Sequence, residues 1–79
     1  MRAVIIDSGG VILRTISSPP ELFGIQAAMG ESVFALTNDD GASIDDANVV
    51  VSEEGSFEAA PGAPMDTSIP SSPLELVAV

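Results

Sequence analysis

Cysteine, histidine, lysine, tyrosine and tryptophan are all absent from the 79 residues, and each absence removes a kind of chemistry. Without cysteine there is neither a disulfide staple nor a thiolate metal site. Without histidine or lysine, Ser17, Ser18, Ser68, Ser71 and Ser72 have no side-chain base to activate them as nucleophiles. Positive charge is scarce as well: Arg2 and Arg14 stand against 12 acidic residues, for a net charge of -10. Two cations cannot neutralise a phosphate backbone, so no binding to nucleic acid or anionic membrane is expected. No apolar run approaches the roughly 20 residues that span a bilayer. The opening MRAVIIDSGG lacks the pattern of a signal peptide, so synthesis in the cytoplasm is expected.

What the chain does have is apolar mass. Hydrophobic residues make up 46%, more than a disordered acidic tail carries, and most are Ala, Val and Ile with three Phe. A chain of this size buries only roughly 60% of its extended surface on folding. Its core is therefore marginal alone, and the surplus is best buried against another subunit.

Two β-branched runs, residues 2–7 and 11–16, flank Ser8-Gly9-Gly10, and glycine supplies the positive φ of a tight turn, so a β-hairpin is expected there. The turn holds two or three residues. Ser18-Pro19-Pro20-Glu21 then reads as a helix start, with Ser18 as cap, Pro19 at the first position and Glu21 reaching back in a capping box. The helix, of about three turns, runs through ELFGIQAAM to Gly30 as a left-handed C-cap. It turns Leu22, Ile25, Gln26 and Met29 toward the hairpin, with Phe23 on an adjoining stripe, and Phe23 and Met29 read as core.

Glu31 to Thr37 reads as a third strand, and Val49 to Val51 with Ser56 to Ala60 as a hairpin about Glu53-Glu54-Gly55. From Pro61 to Pro73 the chain is Pro, Gly, Ala and Ser without periodicity, an extended arm. Its end, LELVAV, suits an edge strand added to this domain or to a neighbour. The architecture expected is a small α+β, β-rich module over residues 1–60, with an N-terminal β-hairpin, one short helix and two to three further strands. An extended arm follows over residues 61–79.

No catalytic, cofactor-binding or metal-binding residue is assigned. Seven of the twelve acids lie between Asp39 and Glu58, mostly in turns, where solvent keeps carboxylates ordinary. Asp39, Asp40, Asp45 and Asp46 surround Gly41, but an EF-hand with that glycine would place Leu36 and Ala47 at its first and last ligand positions. Turns of a solvated loop account for them as well. The strand ending in Asp7-Ser8-Gly9-Gly10 resembles the first motif of haloacid-dehalogenase-type phosphatases, as ALTN at 35–38 and Asp45-Asp46 resemble the later ones. That family's second aspartate is replaced here by Gly9, and the lysine that neutralises phosphoryl oxygens is missing. Asp7 reads instead as the opener of a turn.

A resemblance of wider extent runs through Val4-Ile5-Ile6-Asp7, Gly10-Val11-Ile12-Leu13-Arg14, Pro19-Pro20-Glu21, Gln26-Ala27, Gly30-Glu31 and Val33, then Asp45-Asp46-Ala47 and the Val-rich hairpin. This order of features resembles a group of small structural proteins of the tailed-bacteriophage virion, though those often finish on an aromatic-containing motif and this chain does not. The resemblance implies a non-enzymatic virion subunit, tail or tail-fibre associated, assembled in the host cytoplasm and contacting other virion proteins and copies of itself. A capsid decoration protein, or an acidic intracellular module that binds a basic protein, are the alternatives. Arg2 and Arg14 are expected in ion pairs within or between subunits.

Overall fold

A computed structural model describes residues 1–77, and strands carry it: 35% of residues lie in strands and 8% in helix. Four strands form one antiparallel sheet in the order β2-β1-β3-β6, namely β1 (Arg2–Ile6), β2 (Ile12–Ser17), β3 (Ser32–Leu36) and β6 (Leu74–Val77). A separate hairpin pairs β4 (Val49–Val51) with β5 (Phe57–Ala59). Side chains alternate across a strand, so β1 sends Val4 and Ile6 to one face of the sheet and Ala3 and Ile5 to the other. All four are buried because both faces are covered, which is why β1 is a continuous apolar run rather than an alternating one.

The two covers come from the two long connections. Between β3 and β6 the chain builds the β4–β5 hairpin, which lays Val49, Val51 and Phe57 on Val4, Ile6, Ile12 and Leu36. Between β2 and β3 it crosses the opposite face and seats Phe23 on Ala3, Ile5, Val33 and Ala35.

The N-terminal hairpin forms as expected, and its loop holds three residues. Gly10 N–H donates to the Asp7 carbonyl and Asp7 N–H to the Val11 carbonyl, both at 3.1 Å. Gly10 follows at φ +84°, the left-handed residue that closes such a loop. A register shift between Ile5 and Ile6 bulges β2 at Leu13. Gly10 also joins the two hairpins: Val51 N–H donates to its carbonyl at 2.9 Å, and a Cβ at Gly10 would lie 2.3 Å from the Val51 carbonyl oxygen. Only glycine permits that approach.

The expected three-turn helix is corrected. A 3₁₀ helix covers only Pro20–Ile25, without a side-chain cap, and Ser18 Oγ faces the Pro19 carbonyl at 3.3 Å instead of an amide. Gly24, a weak helix former, lies within the segment, and so short a helix has little stability of its own in water. Beyond it, Arg14 donates to the Gln26 carbonyl at 2.7 Å and to Glu31 at 2.9 Å, while Glu31 accepts from Ala28 N–H at 2.9 Å. These bonds hold residues 26–31 as turns. Gly30 thus has positive φ in the turn closed by Glu31 N–H on the Ala28 carbonyl, not at a helix end. The inward stripe changes with it: Phe23 is buried, whereas Leu22 and Ile25 are exposed and Met29 stands wholly in solvent.

Residues 61–73 contain turns but no regular element, and the chain then enters β6. Of the LELVAV segment, residues 74–77 pair with β3 of the same chain, and Ala78 and Val79 lie outside the described residues.

Candidate functional site

Both arginines are engaged within the chain. Arg2 grips Asp39 with two N–H groups, Nε to Oδ2 at 2.6 Å and Nη2 to Oδ1 at 2.5 Å, and Nη2 also donates to the Ala42 carbonyl at 2.8 Å. This fork fixes the loop leaving β3 beside the start of β1. The Arg2 hydrogen bonds and that from Gly41 N–H lower the Asp39 pKa from 3.8 to about 2. Arg14 binds Glu31 from the middle of β2; the Ala28 amide first, then Arg14, holds the Glu31 carboxyl below its ordinary range.

The acids singled out in the sequence do not converge. Asp7 Oδ1 accepts from Gly9 N–H at 2.8 Å and Val11 N–H at 3.1 Å, so this carboxylate closes its own turn. Asp40 accepts from Ala42 N–H, and Asp45 accepts from Ala47 N–H and from the Asn48 side chain, each within a few residues. Among the described residues no three acids are grouped as metal ligands would be.

The concave surfaces lie elsewhere, on either side of β6. One hollow of about 530 Å³ opens between the Ser8-Gly9-Gly10 turn, the β4–β5 hairpin and the sheet, with Ile6, Phe34, Val51 and Leu76 as apolar lining and Asp7, Glu53 and Glu58 as acids. The second, of about 400 Å³, lies on the opposite face between Met1, Pro20, Phe23, Ala35 and Val77, with Glu75 as its acid. Leu76 lines both and is 61% exposed.

Phe34, Leu76, Glu53 and Glu75 were not candidates from sequence. The only sequence signal was the alternation in Leu74-Glu75-Leu76-Val77, which indicates a strand but not its neighbours. Large apolar side chains also remain exposed away from the hollows, at Val11, Leu13, Leu22, Ile25, Met29, Met65 and Ile69. No family model, curated protein or solved structure matches this chain.

Proposed function

We propose that this protein is a non-enzymatic structural subunit of a tailed-bacteriophage virion, tail or tail-fibre associated, that attaches to larger virion proteins and to copies of itself. One observation carries the reading that it works by attachment: apolar side chains as large as Leu, Ile and Met remain exposed around a four-stranded sheet, on a chain whose stable core is small. Covering them against a neighbour removes apolar surface from water at about 25 cal/mol per Å². The virion assignment rests on the resemblance in the order of sequence features. In this reading the α+β module of residues 1–60 is the body, and the arm of residues 61–79 contributes contacts beside it.

Charge selects the neighbour. Both cations pair internally with Asp39 and Glu31, so the other acids present their charge outward, and the neighbour's surface is neutral or basic. The same charge favours the second reading, an acidic intracellular module that captures a basic protein. The test is quantitative mass spectrometry of purified particles produced from the genome that encodes the chain. A fixed copy number matching the particle's symmetry is expected. Absence from particles, with a monomer in the cytosol, overturns the virion reading and leaves the intracellular module.

A further inference from the structure

In an antiparallel ladder, residues that bond the neighbouring strand alternate with residues whose N–H and C=O point away from it. The β3–β6 register runs from Val33↔Val77 to Leu36↔Leu74, and Thr37 N–H extends it by donating to the Pro73 carbonyl at 3.0 Å. Pro73, Glu75 and Val77 are therefore the residues that bond β3. Leu74 and Leu76 turn their backbone groups to the outer edge. β6 ends the sheet on that side, and among the described residues no strand pairs with it there. The Leu74 carbonyl lies near Gly55 of the second hairpin, which leaves Leu76 as the open position.

The two edges of the sheet are not equally protected. Proteins blunt an edge strand with bulges, prolines or charges. β2 has a bulge at Leu13, and Arg14 is tied across to Gln26 and Glu31. β6 is regular over all four residues, Pro73 stands before it rather than in it, and its one charge, Glu75, turns away only an acidic strand. It is also flanked by a hollow on each face of the sheet, both lined by Leu76.

We propose that the outer edge of β6 takes an extended segment of a partner protein as a fifth strand, with alternating apolar and Lys or Arg side chains. Backbone bonds to Leu76 supply the pairing, and side chains alternating between the two faces enter the two hollows. Basic residues meet Asp7, Glu53 and Glu58 in the first hollow, and the apolar residues, on the other face of the same strand, enter the second between Met1, Phe23 and Val77. A second copy does not fit as well, because it brings its own Glu75 and its own charge of -10 to the same edge.

The probe is a capped five-residue peptide of alternating valine and lysine, titrated into the full-length protein and followed by amide chemical shifts. Saturable shifts centred on Leu76 are expected, with a valine–glutamate peptide at least about tenfold weaker. Leu76→Pro removes an outward N–H without removing a β3 bond, so it should keep the sheet and weaken binding at least about tenfold. Leu76→Lys keeps the backbone and opposes the peptide's charge, and is expected to weaken binding similarly; it decides the matter if the proline variant does not fold. No saturable shift up to millimolar peptide, or wild-type affinity in folded Leu76→Pro and in Leu76→Lys, overturns the proposal. Equal binding of the glutamate peptide overturns the basic partner.

The inference rests on the attachment reading for its kind of partner, and the two fail separately. A protein absent from particles that still binds the peptide loses only the virion assignment. Particles that incorporate Leu76→Pro at wild-type copy number remove only the edge.

Discussion

The two faces of the four-stranded sheet are covered by different means. On one face, Val4, Ile6, Ile12 and Leu36 meet a second hairpin that contributes Val49, Val51 and Phe57, with Phe34, Ile44 and Leu74 at the margin. On the other, the strands present Ala3, Ile5, Val33 and Ala35, and Phe23 is the buried side chain laid over them. The alanines make room for that ring: β-carbons without further bulk let an aromatic from a short crossover lie directly on the backbone layer. A chain with a marginal core thus covers both faces, but one cover is shared among several buried side chains and the other rests on one buried ring, with Ile16, Ala27 and Val77 only partly buried beside it.

The most direct way to break this comparison is to remove the single ring. Phe23→Ala should cost about 3–5 kcal/mol, a large part of the roughly 4–12 kcal/mol that a domain of this size has in total. Phe57→Ala, on the face where Val49 and Val51 share the cover, should cost at least about 1 kcal/mol less, since neighbours there can close part of the cavity. Urea denaturation of both variants checks this, and equal losses would erase the distinction between the faces.

Next in size is the junction that holds the hairpin cover in place. Gly10→Ala forces a Cβ to within 2.3 Å of the Val51 carbonyl oxygen at φ +84°. Strain and displacement together should cost about 2–3 kcal/mol, with loss of hydrogen-exchange protection at Val51. Gly62→Ala shares the positive φ, at +81°, but has nothing within 4 Å of the new Cβ. It should cost only about 1–2 kcal/mol, so the difference between the two isolates the backbone contact.

A smaller effect concerns the loop that leads from the sheet to its hairpin cover. Asp39 has its pKa lowered from 3.8 to about 2 by Arg2 and the Gly41 amide. Because the folded state depresses this pKa, the carboxylate's contribution is complete above 3.8 and disappears as pH falls through about 2. Asp39→Asn should therefore remove that part of the acid dependence while leaving its shape near neutrality unchanged. Urea titrations at a series of acidic pH values provide the comparison.

The smallest effect is expected on the outside of the single-ring cover. Ile25 is 76% exposed beside buried Phe23. Ile25→Ser should change stability by no more than about 0.5 kcal/mol in thermal denaturation. A larger loss would mean that the face of Phe23 is shared after all.

The strands and the first turn were legible because their signals are local. β-Branched runs and Ser8-Gly9-Gly10 specify a hairpin by backbone preference, and Asp7 serves the turn that its position before that motif implied. The helix is not legible in the same way, because a 3.6-residue pattern in Leu22, Ile25 and Met29 is only an expectation of burial. Arg14, brought near by the sheet, captures the Gln26 carbonyl and Glu31 and holds the segment in turns. The hollows beside β6 were not legible at all, since their walls come from residues as far apart in sequence as Gly9 and Leu76.

By itself the sequence determined the chemistry of this protein's surface and most of its strands: no thiol, no imidazole, no amine beyond its N-terminus, a large acid excess, and short β-branched runs joined by Gly and Pro. Composition and backbone preference act locally and do not depend on what packs against what. Tertiary structure alone decided which strands are central and which are edges. It decided that Phe23 rather than Met29 is buried, that both arginines are used internally, and that LELV joins β3 of its own chain. Those outcomes follow from pairing between distant segments, where competing partners differ by a few hydrogen bonds and one buried ring, and no local pattern records which partner wins.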